Sequence, residues 1–481
     1  MKGGTITTVR RSLTGLALLL VVALSAGAAP AAAQEQRGIT LGFADPRFSS
    51  QDPAERESWF ERSAESGGDW ARVTIGWRGI APNEPADPTD PASAGYAFAG
   101  PDSAVRSAAA QGMPVLFTVS FAPDWAEGPD RPGWVVPGTW KPDPQKLADF
   151  ATALATRYDG SFPDPLNPGE TLPEVTRFEV WNESNLSAFM APQREDGEEV
   201  APDHYRRMVN AFYEAAHAVQ PEAQVVAGSL SPIGSDGNGP KGARVGPLAF
   251  LRKLFCVEGR KRPRAVDCGE TVELDALSHH PINSSRSARA PAPGSSDAGI
   301  AEMDEVTDIL RAAEEGGNVA TPGEHPVWAT EFWWHSNPPK KRSWVPSLKQ
   351  QAAYIEEALY LLWRERVEVA MLFQVGDQQG SRFATGVTFA DGEPKPSQTA
   401  YRFPLVGDRK SKSRVRVWGR APAAGTVRIQ VRPKGGTFET ARRIEVEPGS
   451  VFDTTVRMRG KGKLRARLGD ENSLSWDQGG R

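Results

Sequence analysis

Short apolar segments alternate with amphipathic segments between residues 38 and 403. The pattern predicts eight strands, at 39–43, 70–75, 114–119, 177–180, 224–227, 274–278, 326–330 and 370–373. Helices are predicted between and after them, at 53–65, 103–111, 145–158, 203–219, 247–255, 302–315, 348–365 and 397–402. Parallel strands need a crossover helix to return the chain, so this order favours a (β/α)8 TIM barrel over residues 34–404.

An open doubly wound sheet is the main alternative fold for the same order of elements. Such a sheet is expected to carry a Gly-rich phosphate loop after its first strand. The chain instead reads Gly42-Phe43-Ala44-Asp45-Pro46 there. Pro- and Gly-rich insertions occupy 81–100, 126–144, 159–173, 231–246 and 282–300. Four of these follow a strand, so we expect them to line a cleft on the upper face of the barrel, where the carboxyl ends of the strands lie.

After residue 412 the apolar period changes to two, as in Arg414-Val415-Arg416-Val417-Trp418. Short alternating segments separated by turns predict a small β-sandwich over 405–481. From Asp408 onward 18 Lys and Arg stand against 8 Asp and Glu, a net charge of +10 on an overall charge of −4. A solvated arginine face and a face that binds an anionic polymer of the cell envelope both explain this charge. We expect no nucleic acid partner.

The amino terminus has the layout of a secretory signal. Lys2, Arg10 and Arg11 precede an apolar run at 13–24, and small residues follow up to a cleavage site near residue 33. An uncleaved membrane anchor is the alternative, and Arg10-Arg11 also partly resembles a twin-arginine signal. We therefore expect a secreted or extracytoplasmic protein with no membrane span after cleavage.

The chain has two cysteines, Cys256 and Cys268. In an exported protein, two thiols this close in sequence favour a disulfide over a metal site. Six scattered histidines offer no recognisable ligand spacing, so we expect neither a metal nor another cofactor.

Two glutamates at predicted strand ends carry the candidate chemistry. The fourth strand runs into Trp181-Asn182-Glu183, and the seventh ends in Thr330-Glu331-Phe332-Trp333, 148 residues later. Active sites of α/β barrels are built at the carboxyl ends of the strands. Paired carboxylates beside tryptophan are what glycoside hydrolysis needs, although each glutamate could instead pair with a barrel arginine.

Trp181-Asn182-Glu183 resembles the strand-four motif of clan A glycoside hydrolases, which include families 5 and 39. The resemblance implies a retaining double displacement, with Glu183 as acid and then base and Glu331 as nucleophile. It further implies that Asn182 binds the 2-hydroxyl of the sugar. Arg72 resembles the strand-two arginine that steadies the nucleophile, and we expect it to keep Glu331 ionised while Glu183 has a raised pKa.

Further substrate contacts are expected around this pair. His280 resembles the strand-six histidine, whereas His279 could be a core histidine; the usual neighbouring aromatic hydroxyl is replaced by Ile282. At strand eight, where a tryptophan is usual, the chain has Phe373-Gln374. The remaining candidates for substrate contact are Trp125, Trp181, Trp333 and Gln374.

The sequence thus predicts a secreted, retaining glycosidase that cleaves a β-linked oligo- or polysaccharide. A catalytically silent carbohydrate-binding barrel of the cell envelope is the alternative of a different class. A second alternative is a barrel hydrolase of another kind. Such an enzyme would be expected to carry a cluster of metal-binding or phosphate-binding residues, and the sequence shows no such cluster.

Overall fold

Eight parallel strands close into a barrel in the computed structural model, which describes residues 1, 3–4, 38–234 and 244–479. They are β1 Thr40–Ala44, β2 Trp70–Gly76, β3 Val115–Ser120, β4 Arg177–Val180, β5 Gln224–Leu230, β6 Ala276–His279, β7 Val327–Phe332 and β8 Val367–Phe373. Each strand pairs with its neighbours in chain order, and β1 also pairs with β8, from Thr40↔Val369 to Ala44↔Phe373. The predicted (β/α)8 barrel is confirmed.

Helices follow the strands on the outside of the barrel. They are α1 Pro53–Glu65, α2 Ala99–Ala110, α3 Pro144–Arg157, α4 Ala201–Val219, α5 Pro247–Leu254, α6 Met303–Gly316, α7 Leu348–Arg364 and α8 Pro396–Arg402. Their starts follow from capping residues, because a side-chain oxygen satisfies a backbone N–H that the first turn leaves free. Asp52 caps α1, Asp143 caps α3, and Ser347 with Gln350 forms a capping box on α7.

The barrel interior has an apolar layer below a polar layer. The apolar layer consists of Trp70, Leu116, Val226, Ala276, Trp328, Val369 and Met371. Side chains two positions apart on a strand share a face, so the residues that follow in the same direction also point inward. These are Arg72, Thr118, Ser278 and Thr330, all buried. Polar side chains therefore form the floor beneath the carboxyl ends of the strands.

Gly42 of β1 is required by this packing. A Cβ at this position would lie 2.9 Å from the Trp70 carbonyl oxygen and 3.1 Å from Met371 Cγ. The side chain of Met371 thus occupies the space that a larger residue on β1 would need.

Antiparallel sheets follow the barrel and form a β-sandwich, as the sequence predicts. One sheet pairs β9 Leu405–Arg409, β10 Arg414–Arg420 and β13 Val451–Arg457. The other contains β11 Gly425–Pro433, β12 Glu439–Val446, β14 Gly462–Leu468, β15 Glu471–Asn472 and β16 Trp476–Gln478. The predicted domain boundary, between residues 404 and 405, lies directly before β9.

The sandwich packs closely on the barrel, and Arg37–Arg481 form one compact unit. The Trp418 ring lies 5.6 Å from Tyr360 and 5.9 Å from Trp363 of α7. Arg420 donates hydrogen bonds to the Ile39 carbonyl at 3.0 Å and to Asp69 at 2.5 Å. Buried aromatic and charged contacts thus join the two parts.

Two further sequence predictions concern the export of the chain. The predicted signal segment at 13–24 lies outside the described residues. Among the residues that are described, no helix has the length and apolar character needed to cross a membrane. Cys256 and Cys268 form a disulfide, with their Cα atoms 6.0 Å apart.

Candidate active site

Glu183 follows β4, Glu331 lies near the end of β7, and both carboxylates face His280. His280 Nδ1 is 3.2 Å from Glu183 Oε1 and 4.0 Å from Glu331 Oε2. The sum of these distances, 7.2 Å, is the upper limit for the separation of the two oxygens. Both side chains reach solvent, with 15% and 16% of their surface exposed. The fold thus brings the two predicted carboxylates into one accessible site.

The backbone that presents Glu183 adopts an uncommon conformation. Trp181 and Glu183 have φ of 71° and 44°, and Ser229 at the end of β5 has φ of 50°. Left-handed conformations of residues other than glycine cost free energy and cluster at functional sites. The Glu183 N–H donates to the Ser229 carbonyl at 2.8 Å. This hydrogen bond fixes the strained turn against the neighbouring strand end.

Gly228 makes that arrangement sterically feasible. Its φ is +114°, and a Cβ there would lie 2.1 Å from the Ser278 carbonyl oxygen. The pairing of β5 with β6 also shifts register between Leu277 and His279. The close approach of the two strands places Ser229 beneath the carboxylates.

Arg72 and Glu179 form a buried pair below the two carboxylates. Arg72 Nε donates to Glu179 Oε2 at 2.7 Å, and the Thr118 hydroxyl donates to the same oxygen at 2.7 Å. Burial alone would raise the pKa of Glu179, but Arg72, His280 and Thr118 together bring it below its ordinary value. Glu179 is therefore an ionised carboxylate within the barrel.

The guanidinium of Arg72 also reaches upward into the site. Its Nη2 donates to Asn182 Oδ1 at 2.9 Å and to Ser229 Oγ at 3.2 Å, while Nη1 is 3.6 Å from Glu331 Oε2. Asn182 is partly exposed, whereas Arg72 is only 5% exposed. Arg72 thus lies beneath the site and contacts Asn182, Ser229 and Glu331, and its predicted role in substrate binding stays a prediction.

Burial raises the pKa of Glu331 above the ordinary value of 4.5. His280, Arg72 and the Trp333 indole N–H oppose this increase, and the Glu183 carboxylate adds to it. The loss of solvation thus outweighs the nearby positive charges in setting the pKa of Glu331, and the expectation that Arg72 keeps Glu331 ionised stays a prediction.

His279, the last residue of β6, and His280, which follows it, are both buried, and the substrate contact predicted for His280 stays a prediction. His280 Nε2 lies 3.0 Å from Ser229 Oγ, so the ring bridges Ser229 and Glu183. His279 Nε2 lies 2.9 Å from the Ala298 carbonyl oxygen, and burial lowers its pKa to about 4. His280 thus belongs to the polar floor and His279 to the surrounding core.

The predicted aromatic contacts differ in accessibility. Trp181 is fully buried and its indole N–H donates to the Phe189 carbonyl at 2.8 Å, so it cannot stack on a sugar. Trp125 is partly exposed, with its N–H donating to the Ala81 carbonyl at 2.9 Å. Trp333 is also partly exposed and donates to Glu331 Oε1 at 3.2 Å.

Gln374 is 1% exposed, and its assignment as a substrate contact stays a prediction. The Thr385 hydroxyl donates to its side-chain oxygen at 2.9 Å, and its backbone N–H donates to the Ala44 carbonyl at 2.9 Å.

Sequence reasoning also missed Ser229 and Glu179. Glu179 carried a signal, because strand alternation gives it the same inward direction as Arg177.

A solved structure of a glycoside hydrolase shares the fold. A family 39 glycoside hydrolase from Bacteroides cellulosilyticus WH2 aligns with a TM-score of 0.55 and 16% identity, over 88% of this chain and 82% of that one. A glucosidase from Croceicoccus marinus aligns at 0.48 and 14% identity, over 88% and 94%. No protein-family model and no curated protein matches the chain. At this identity, the similarity to the family 39 enzyme shows the barrel fold alone.

Proposed function

We propose that the protein is a retaining glycoside hydrolase that cleaves β-linked oligo- or polysaccharides. The observation that carries the proposal is the pair of accessible glutamates, Glu183 and Glu331. Both carboxylates lie within 4.0 Å of Nδ1 of the same histidine, His280. The 7.2 Å limit on the distance between the two facing oxygens allows the ~5–5.5 Å of retaining enzymes and excludes most of the ~6.5–9.5 Å range of inverting enzymes.

In the proposed first step, the Glu331 carboxylate attacks the anomeric carbon while protonated Glu183 gives its proton to the leaving oxygen. A glycosyl ester to Glu331 forms as the glycosidic bond breaks. In the second step, Glu183 removes a proton from water, the water oxygen bonds to the anomeric carbon, and Glu331 leaves as a carboxylate. Both glutamates return to their starting protonation states.

The surrounding contacts fit these roles. Arg72 and the Trp333 N–H stabilise the ionised form of Glu331, which must be present for attack. Arg72 holds the Asn182 side-chain oxygen at 2.9 Å, which orients the amide NH2 so that it can donate to a sugar hydroxyl.

A panel of aryl β-glycosides assayed with wild type, Glu331→Gln and Glu183→Gln tests the proposal. We expect Glu331→Gln to abolish turnover. Glu183→Gln should lose ~10²–10⁴-fold with a poor leaving group and much less with an activated phenol, which needs no protonation. Comparable turnover by wild type and Glu331→Gln would refute the nucleophile assignment.

The stereochemistry of the product separates retention from inversion. We expect NMR spectra recorded early in the reaction to show the β-anomer as the first product. An initial α-anomer would mean that water attacks directly and that Glu331 acts as a base.

We also propose that the protein is exported and that its sandwich contacts an anionic polymer. The Cys256–Cys268 disulfide supports export, because disulfides persist in oxidising compartments. Sequencing the amino terminus of the mature protein tests for cleavage near residue 33.

A cationic sheet face on the larger sheet of the sandwich supports the polymer contact. We define it by Arg428, Arg432, Arg443, Arg465 and Arg467. Arg428 lies directly opposite both Arg443 and Arg467 on neighbouring strands, and like charges in such positions repel. Arg432 and Arg465 flank the Phe438 ring, 4.7 and 4.1 Å from its centroid. An anionic ligand would relieve the repulsion on this face.

A further inference from the structure

A row of rings extends from the candidate nucleophile to the protein surface. Trp333, whose N–H donates to Glu331, lies 4.9 Å from His335 and 5.7 Å from Phe383 between ring centroids. His335 lies 6.2 Å from Trp344. We call Trp333, His335, Trp344 and Phe383 the aromatic ridge. The two steps from Trp333 through His335 to Trp344 limit its span to 11.1 Å.

Trp344 at the outer end of the ridge is 55% exposed, an unusual position for so large an apolar side chain. Burial, with help from the nearby Lys340 and Lys395, lowers the pKa of His335 to about 4. At neutral pH the buried His335 is therefore uncharged, and the ridge as a whole carries no charge. The exposed face of Trp344 can stack on the apolar face of a sugar ring.

A cavity of about 640 Å³ lies beside the ridge, between the loops that follow β7 and β8. Its volume falls within the ~300–1,000 Å³ of typical ligand sites. Its lining includes Phe383 of the ridge and the polar residues Lys340, Gln378, Gln379 and Ser381. The cavity thus combines an aromatic wall with hydrogen-bonding groups.

Two cations lie at this cavity, since Lys340 is part of its lining and Arg382 stacks on Phe383. Lys340, Lys341 and Arg342 are consecutive on the loop after β7, and the Arg382 guanidinium stacks 4.8 Å above the Phe383 ring. Within the described part of the chain, none of these four forms an ion pair within 4.0 Å. Consecutive unpaired cations repel each other, so their clustering has a cost that an anionic ligand would offset.

Two carboxylates also line the cavity. Asp377 is already paired with buried Lys395 at 2.7 Å. Asp391 is exposed and keeps its negative charge, because the hydrogen bond that it accepts at 3.1 Å comes from the neutral Glu393 N–H. Lys340 and Arg382 together exceed this single charge, so the edge of the cavity beside Phe383 is positive.

We propose that the aromatic ridge and this cavity form a subsite for a carboxylated sugar, a uronate, adjacent to the sugar that Glu331 attacks. The inference rests on the proposed hydrolase function and specifies its substrate class. The ring of the uronate stacks on the ridge, and its carboxylate pairs with Lys340 and Arg382. Stacking on Phe383 holds the planar guanidinium of Arg382 in place for a bidentate contact.

Binding to the full chain carrying Glu331→Gln, with Arg428→Gln and Arg443→Gln to disable the cationic sheet face, tests the subsite without relying on turnover. Titration calorimetry would use β-linked oligomers of mannuronate and of hyaluronan, each beside its carboxyl-reduced form. We expect at least one acidic oligomer to bind about tenfold more tightly than its reduced form, a difference of about 1.4 kcal/mol. Lys340→Gln with Arg382→Gln should abolish this preference, and Trp344→Ala should weaken binding of both forms.

Arg414→Gln with Arg457→Gln is the matched control, because it removes the same charge from the smaller sheet of the sandwich, outside both proposed binding sites. It should retain the preference for the acidic oligomer. Equal affinity for acidic and reduced forms, or a preference that survives Lys340→Gln with Arg382→Gln, would overturn the inference. The two proposals can also fail separately. If the acidic oligomer binds selectively but the wild type hydrolyses no aryl β-glycoside, the hydrolase function is refuted and the uronate subsite stands.

Discussion

Arg72 and Glu179 form an ion pair inside the barrel, with Arg72 Nε donating to Glu179 Oε2 at 2.7 Å. The Arg72 and Glu179 side chains are only 4% and 0% exposed. The same guanidinium holds Asn182 and approaches Glu331, so the pair connects the barrel floor to the candidate catalytic groups. Glu179 thus holds the guanidinium of Arg72 in place, and Arg72 in turn orients Asn182.

Arg72→Met should destabilise the protein by ~3–5 kcal/mol, because it leaves the Glu179 carboxylate buried without its partner. Arg72→Lys should retain more stability but lose roughly 100-fold in kcat/KM, since an ammonium cannot make all the contacts of the guanidinium fork. Urea denaturation and aryl-glycoside kinetics measure the two effects.

The Arg157–Asp102 pair is a matched control outside the site, with N–O distances of 2.8 and 2.6 Å and similar burial. Arg157→Met should destabilise the fold to a similar extent and leave kcat/KM of the folded enzyme unchanged. If the effects of Arg72→Met and Glu179→Gln simply add in the double variant, the two residues are not coupled.

Hydrophobic periodicity was sufficient to predict the barrel. The eight strands appear in their predicted order because each is a short apolar run between amphipathic segments. The positions of Glu183 and Glu331 followed from their location at the ends of two such runs. Local sequence thus determines which residues stand at the rim of the barrel.

Burial within the site could not be predicted in the same way. His280, Trp181 and Gln374 are at strand ends, yet all three are covered by neighbouring elements that lie far away in sequence. The raised pKa of Glu331 has the same origin, since it depends on how much solvent those elements exclude. Phe383 lies in a loop after β8, and only tertiary packing brings it to Trp333.

Trp333→Phe should move the acidic limb of the kcat/KM profile to higher pH. The Trp333 N–H stabilises the Glu331 carboxylate, so its removal should raise the pKa of Glu331 further. The nucleophile must be ionised, so activity is lost as pH falls through this pKa. In wild type the limb should therefore lie above the ordinary glutamate value of 4.5.

The pH dependence of kcat/KM with an activated aryl glycoside measures this limb. Trp363→Phe on α7 makes the same change of ring away from the site and should leave the limb in place. A limb that Trp333→Phe leaves unmoved or shifts to lower pH would contradict the assignment of Glu331 as the ionised nucleophile.

Glu331→Gln should stabilise the fold at neutral pH, by about 0.5–2 kcal/mol. The pKa of Glu331 is raised in the folded state, so its ionisation is less favourable there than in the unfolded chain. Its contribution to stability is present below the ordinary value of 4.5 and is lost as pH rises through the raised pKa. The gain from Glu331→Gln should therefore vanish below pH 4.5.

Thermal unfolding of wild type and Glu331→Gln between acidic and neutral pH measures the difference in their stability. Glu324→Gln is the control, since its side chain is 92% exposed and the change should stay within about 0.5 kcal/mol at every pH. A Glu331→Gln variant that is less stable than wild type at neutral pH would mean that the carboxylate is better solvated than its burial indicates.

Arg428→Gln with Arg443→Gln should weaken binding of the full chain to immobilised polygalacturonate by roughly tenfold at low salt, about 1.4 kcal/mol. These two arginines are opposite each other on β11 and β12, where a polyanion would contact both. The double variant should also be slightly more stable than wild type without ligand, because the repulsion between the two guanidinium groups is removed. Salt should weaken the wild-type interaction by screening it.

Arg414→Gln with Arg457→Gln provides the comparison that separates a defined face from net charge. These arginines are also opposite each other, but on β10 and β13 of the smaller sheet. Removal of this pair changes the charge of the protein by the same amount. If the polymer binds the cationic sheet face, only the Arg428 and Arg443 double variant should lose affinity. Equal losses would show that the positive charge of the sandwich acts as a whole, and the excess of arginine would then be a solvated surface without a specific site.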